Sequence, residues 1–385
     1  RSPDRRNILQ NNWNMTKTKN TAIEPKKVSD KAENIFDTSF MVFVSVFSIL
    51  IGLICFFPYW LTKPALTENL DFSGTGQIGD TIGGTMTPFI AIAAALLTFI
   101  AFWVQYKANK QQAQQFKNQA DDVTIERFEN KFYELLRIQR ENTTEIDINE
   151  VSKGRKAFIS MFYEFRFCYA KTKIFIEDYN KEELGFLEND EETIIDIAYH
   201  IFFMGIGDNS DKLVIASLAG RCEQKFIIDL IKYLDKTIKQ VWKKDIKFEV
   251  KLNDNPNTLA YSSKYLPLGG HISRLGHYFR HLFQAVNFIS EQDQVLFEED
   301  KKCEYAKTLR AQLSDYEQLL LFYNVCSSLG KAWTSEEQNF IKRFRMIKNM
   351  PLPLADFGVT PQQKFKDDIQ YWKDQKKAFF EWDER

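Results

Sequence analysis

Residues 271–283 read HISRLGHYFRHLF and hold three of the four histidines of the 385-residue chain, interleaved with Arg274 and Arg280. Histidine exchanges a proton near neutral pH, and arginine stabilises charge on a phosphate. These residue types suit acid–base work on a phosphate ester, or capture of a polyanion. On a helix turning about 100° per residue, Ile272, Leu275, Phe279, Leu282, Val286 and Ile289 share one face, which is expected to be buried. Ser273, His277, Arg280, Gln284 and Asn287 form the opposite stripe. That stripe is polar throughout yet has no Lys, Glu or Asp, unlike a merely solvated helix face, so it reads as a surface adapted to bind. Arg274 and His281 lie two turns apart on its flank, beside Tyr278.

A second helix is expected over roughly 302–328. Tyr305, Leu309, Leu313, Tyr316, Leu320 and Tyr323 would be its apolar face, and Arg310, Ser314, Glu317 and Asn324 a polar stripe broken only by Leu321. Two such stripes could enclose a pocket, with all of these polar residues as binding candidates. They could equally form a buried hydrogen-bond network that only sets helix register, with Glu317 neutralising Arg280 or Arg310.

The elements that must position these helices begin at a membrane. Phe40–Phe57 (FMVFVSVFSILIGLICFF) carries no charge and is followed by Tyr59 and Trp60; Pro88–Tyr106 (PFIAIAAALLTFIAFWVQY) is again uncharged and ends on Trp103 and Tyr106. Both have the length and aromatic flanks of membrane-spanning helices, and the glycines of GDTIGGTMTP between them predict a turn. A cleaved signal peptide is disfavoured, because no A-x-A-like site follows the first run. Lys17, Lys19, Lys26, Lys27 and Lys31 precede the first helix and Lys107, Lys110 and Lys117 follow the second, while the connecting loop has only Lys63. This asymmetry puts both termini in the cytoplasm of a multi-pass protein of the bacterial inner membrane.

The organisation expected is therefore mainly α: a polar segment 1–37, a transmembrane hairpin 38–106, a coiled-coil-like connecting helix 107–124, a helical cytoplasmic domain 125–350 and a polar C-terminal tail 351–385. Residues 1–14 precede Met15 and are set aside as an extension. Ala113, Phe116, Ala120 and Val123 keep the spacing of a coiled-coil seam, interrupted by Asn109, which predicts a homo-oligomer joined through this helix. A new helical pattern starts at Ile125 and ends near ENTTEIDINE. GRKAFISMFYEFRFCYAKTKIFI, EETIIDIAYHIFFMGI and CEQKFIIDLIKYLDKTIKQVW read as helices, KFEVKL as a short strand and the stretch after it, to Gly270, as a long loop.

Composition excludes several classes. Lys and Arg total 51 against 52 Asp and Glu, so no global field calls for nucleic acid and any polyanion site must be local. Five cysteines without a CxxC pair read as reduced and buried rather than as a zinc or disulfide framework. Neither GxxxxGK[ST] nor GxGxxG occurs. DNSDK at 208–212 lacks the glycine and distal glutamate of a calcium loop and reads as a turn, and Glu249-Val250-Lys251 is too short a match to a metal-nuclease pattern to carry weight. No metal and no cofactor is expected.

LGGHISRLGHYFRHLFQAVNFI followed by YAKTLRAQLSDYEQLLLFYNVCSSLG resembles the bacterial phage abortive infection proteins of the AbiC-like group, as do GDTIGGTMTPFIAIAAALLTFIAFWVQ, FENKFYELLRIQREN and GRKAF. The resemblance spans roughly 78–350 and implies defence against phage, with a phage component or RNA as partner. The two-helix membrane layout also resembles effectors that accompany retron reverse transcriptases, which implies a complex of that kind. Many abortive infection proteins resemble HEPN ribonucleases, whose R-x4–6-H motif Arg274 and His281 match at its upper limit, although Leu275 replaces the usual polar residue after the arginine. On that resemblance the histidine would take a proton from a ribose hydroxyl and the arginine would stabilise the phosphate, with His277 and Arg280 as further candidates. The rival is a membrane-anchored sensor or effector in which the stripes bind and nothing is cleaved; a scaffold without ligand is a third reading.

The hairpin has a direct test. A cysteine placed at Thr67 should react with an impermeant thiol reagent in intact cells, while one at the C-terminus should not; the reverse pattern removes the topology.

Overall fold

The computed structural model describes residues 41–42, 44–49, 51–53, 56, 59–60, 75–179, 191–207, 210–242, 248–250, 259–261 and 265–381. These divide into two compact units, 1–122 and 123–385. The chain is mainly helical, and its strands are confined to two small antiparallel pairs among the described residues.

In the first unit, every described residue within 41–60 is helical. Helix α1 spans Thr75–Glu145 and is the one described helix long and apolar enough to cross a membrane. The expected turn at GDTIGG is corrected here, because these residues lie inside α1. A helical glycine costs only about 1 kcal/mol relative to alanine, and propagation from the long apolar run downstream outweighs it. Pro88 is also inside the helix, and the Thr87 hydroxyl donates to Gly83 O beside it (2.5 Å). The connecting loop between the two apolar runs lies largely outside the described residues, as does the polar segment 1–37. The separate connecting helix and the new helix at Ile125 merge into α1, and Phe116 and Val123 of the expected seam are exposed.

In the second unit, the last third of α1 turns inward. Phe128, Phe132, Leu136, Gln139 and Thr143 are buried at helical spacing, and Phe128 lies against Phe288, Phe297 and Tyr305. The helix ends in a tight hairpin of β1 (Asp147–Ile148) and β2 (Ser152–Lys153), where ENTTEIDINE was expected to stop it.

Helix α2 (Arg155–Asp178) is the spine of this unit, with Phe158, Met161, Phe162, Phe165, Cys168 and Tyr169 fully buried. It packs against α3 (Glu191–Met204), as the sequence periodicity requires. Helix α4 (Ser210–Leu218) leads into α5 (Gln224–Trp242) and corrects the turn expected at 208–212: Ser210, Asp211 and Lys212 form its first turn, and residues 208–209 lie outside the described residues. The short strand expected at KFEVKL exists as β3 (Phe248–Val250), and it pairs with β4 (Leu259–Tyr261) inside the expected loop. Helix α6 (Ile272–Ser290) follows.

The single helix expected over 302–328 is two: α7 (Glu299–Arg310) and α8 (Asp315–Cys326). Ser314 breaks it. Its hydroxyl accepts from the Glu317 N–H while the Glu317 carboxylate accepts from the Ser314 N–H, a reciprocal cap that starts a new helix. The motif S-x-x-E was legible in the sequence, but the continuous apolar spacing masked it.

Residues 351–381, expected as a polar tail, are folded into the core. After α9 (Phe340–Phe344) come α10 (Pro361–Lys364), capped by Thr360 and Gln363, and α11 (Lys366–Asp374). Phe357, Phe365, Trp372, Phe379 and Phe380 are buried, and Arg166 of the spine pairs with Asp356 at 2.6 Å. Short elements give no sustained period, so the burial of these aromatics was not visible in the pattern.

Phe357 anchors this segment, stacked on Tyr323 (centroids 4.4 Å apart, planes at 12°) and touching Phe162, Phe165 and Tyr169. Phe357→Ala should lower the unfolding free energy by about 3–5 kcal/mol through the cavity it leaves. Val295→Ala, at an 84% exposed position, should change it by less than about 0.5 kcal/mol. Denaturant unfolding of the full chain in detergent checks both.

Candidate functional site

Helix α6 is set in place at its N-terminus. Gly205 and Gly270, both at φ +86°, bring their backbones so close that a Cβ on Gly205 would lie 2.7 Å from Gly270 N. The His271 N–H donates to Phe203 O (2.8 Å), and its buried ring lies 4.9 Å from Phe202. His271 Nε2 is 3.2 Å from Oε1 of Glu164, a fully buried carboxylate that also accepts from the Tyr265 hydroxyl (2.5 Å) and the Leu268 N–H (2.6 Å). The first histidine of the cluster therefore fastens the helix rather than facing solvent.

Leu275, Phe279, Leu282, Val286 and Ile289 are buried as expected, Ile272 is exposed, and Tyr278 joins the buried face. Ser273, His277, Arg280 and Gln284 are exposed along the opposite face. Asn287 is half-buried, donating to Glu291 (2.7 Å) and accepting from Gln338 (3.2 Å).

Arg274 and His281 are engaged elsewhere. The Arg274 guanidinium donates to two main-chain carbonyls, Asp147 O (2.7 Å) and Gly270 O (3.2 Å). Seven residues of helix separate it from His281 by about 10 Å along the axis. His281 Nδ1 is 2.8 Å from Gln139 Oε1, which makes Nδ1 the protonated nitrogen, and Nε2 is buried with no partner. Burial, then the neighbouring His277, pushes the His281 imidazole below its ordinary range, so it is neutral at pH 7.

The second set of candidates does not face this stripe. Arg310 is buried and donates to the carbonyls of Phe344 (3.2 Å) and Arg345 (3.0 Å). Burial, then Arg345, pushes its guanidinium down to about 10. Ser314 is the helix cap described above. Asn324 is buried at the end of α8, where Ser327 donates to its carbonyl and Gly330 packs on it. Glu317 is buried and meets α6 on its buried face: Oε1 accepts from the Tyr278 hydroxyl (2.8 Å) and from Thr143 of α1 (3.3 Å). The exposed stripe of α6 and the polar residues of α7 and α8 therefore enclose no common pocket.

A cavity of about 690 Å³ lies elsewhere, between α3, the turn after α4, the end of α8 and Lys364. The fourth histidine, His200, stands behind its wall. Asp196 and His200 share one helix face at i, i+4, a sequence signal that the crowded cluster at 271–283 overshadowed. Among the described residues no cluster of His, Cys, Asp and Glu could hold a metal ion.

Residues 270–354 match the model of a family described as putative phage abortive infection protein, so the AbiC-like resemblance holds over that segment. It takes in α6, α7, α8 and α9, and thus the exposed stripe. No match is found among curated proteins or among solved structures.

Glu317→Ala removes the helix cap and leaves the Tyr278 hydroxyl buried without its acceptor. It should lower stability by about 2–4 kcal/mol. A calorimetric scan showing a smaller loss than for Ser314→Ala would contradict a central role for this carboxylate.

Proposed function

We propose that the chain is a membrane-anchored phage-defence protein of the abortive infection type, and that the exposed stripe of α6 recognises a phage component or nucleic acid. The carrying observation is that Ser273, His277, Arg280 and Gln284 are exposed side by side, within the segment that matches the abortive infection family. The apolar, charge-free run within α1 supports an anchor, and the lysines flanking the apolar runs support two crossings with both ends in the cytoplasm. Self-association through the 107–124 segment belongs to the same proposal.

Binding is favoured over RNA cleavage by the same geometry. A general base needs an accessible lone pair, and His281 Nε2 is buried; a phosphate clamp uses the guanidinium fork, and Arg274 already directs Nε and Nη1 to main-chain carbonyls. His277 and Arg280, three residues apart on the exposed face, are the pair left to contact a polyanion.

His277→Ala and Arg280→Ala should abolish protection of cells against phage while the melting temperature stays within about 2 °C of the parent, as expected for exposed substitutions. Full protection from both variants would remove the stripe as a site. If the purified chain cleaves RNA in the presence of a chelator, and His277→Ala or His281→Ala ends that cleavage, the ribonuclease reading replaces this one.

A further inference from the structure

The 690 Å³ cavity has a size typical of small-molecule sites and is unrelated to the α6 stripe. Among the described residues its lining carries the cations Arg221, Lys331 and Lys364 against the carboxylates Glu192 and Asp196. Lys364 pairs with Glu192 (3.0 Å) and Arg221 with Asp196 (2.5 Å), while Lys331 has no ion-pair partner among the described residues. Cationic character is therefore in excess at the wall formed by the short helix Ser328–Thr334.

Arg221 is held ready rather than consumed. It sits in the tight turn after Gly220, and its side-chain hydrogen bonds to the described residues all come from one nitrogen: Nη1 donates to Asp196 Oδ2 and to Ser328 Oγ, each at 2.5 Å. The rest of its fork, which suits two-point contact with a phosphate, has no partner among the described residues.

His200 explains the orientation of Ser328. Its Nδ1 donates to Asp196 O (2.7 Å), which leaves Nε2 to accept the Ser328 hydroxyl proton (3.3 Å) and turns the lone pairs of Oγ toward Arg221. The Ser328 N–H is spent on Asp196 Oδ1 (2.7 Å). Burial alone would raise the Asp196 carboxyl, but His200 beside it (Nδ1 to Oδ1 3.3 Å) and the Ser328 N–H hold it at about 2, so it is ionised at neutral pH. The order Ser328, His200, Asp196 is that of a nucleophilic relay, yet His200 is 1% exposed and does not line the cavity. It orients Ser328 and meets no substrate.

We propose that this cavity binds a phosphate-bearing small molecule of nucleotide size, with its phosphate between Arg221, Lys331 and Lys364 and its remainder against the apolar wall of Cys222, Val325 and Cys326. Such a ligand would bridge α3 and the turn at Arg221 to the family-matched segment, through Ser328 and Lys331. The assignment does not depend on what the α6 stripe recognises.

Isothermal titration calorimetry of the full chain in detergent, with ATP, AMP and sodium pyrophosphate as separate probes, tests it. Saturable binding of at least one probe at one site per chain is expected. Lys331→Ala, which disturbs no ion pair, should weaken it about tenfold or more at an unchanged melting temperature. Lys212→Ala, an exposed lysine outside the cavity, should leave it unchanged. Tighter binding of ATP than of pyrophosphate would assign the apolar wall to the nucleoside, and equal binding would assign the site to the phosphate alone. The proposal is overturned if no probe binds at millimolar concentration, or if Lys331→Ala binds as the parent or loses no more than Lys212→Ala does.

Discussion

The buried carboxylate of Glu317 is the contact on which the arrangement around α6 depends. A charge taken out of water is tolerated only when hydrogen bonds replace its hydration, and Glu317 obtains them from separate parts of the chain: Thr143 of α1, Tyr278 of α6 and the Ser314 N–H at the start of its own helix. Each of those elements is thereby fixed against the others. The same bond that caps α8 ends α7 four residues earlier, so a local choice of helix terminus and a long-range packing decision are made by one side chain. Glu164 repeats the device at the N-terminus of α6, two turns before Tyr278, where Tyr265, Leu268 and His271 converge on it.

With the N-terminal half of α6 held from its buried side, its opposite face is left to solvent. Three histidines that look alike in sequence are thus given different work. His271 packs against Glu164, His281 is neutral and turned to Gln139, and His277 is exposed. Only the third is placed to meet a partner, and Arg280 lies beside it. The arginines divide in the same way: Arg274 and Arg310 satisfy backbone carbonyls that would otherwise be left unpaired at chain turns and helix ends, while Arg280 and Arg221 keep donors for something else.

The amphipathic period of α5 and α6 was legible because each helix is long and buries one side, and burial of one side is what periodicity records, whereas α2 and α3, buried all round at their middles, were legible as long apolar-rich stretches. The apolar character of α1 and the family likeness at 270–354 were legible for a related reason: both are properties of contiguous sequence. The exposed stripe of α6 follows from the same period, since a face opposite a buried face has nowhere to go but outward.

Tertiary structure decided the rest. Whether Arg274 or His281 is available depends on Asp147 and Gln139, which lie more than a hundred residues away and leave no trace in local spacing. The aromatics of 351–381 enter the core through elements too short to show a period, and Asp196, Arg221, Ser328, Lys331 and Lys364 reach one cavity from positions spread over some 170 residues. Sequence by itself therefore determined that the long periodic segments are helical, which of their faces are apolar and where a membrane-compatible run occurs, because these follow from neighbours three and four residues apart. Which polar side chains are spent on the fold and which remain for a ligand was decided only in three dimensions, because a hydrogen-bond partner is set by distance in space.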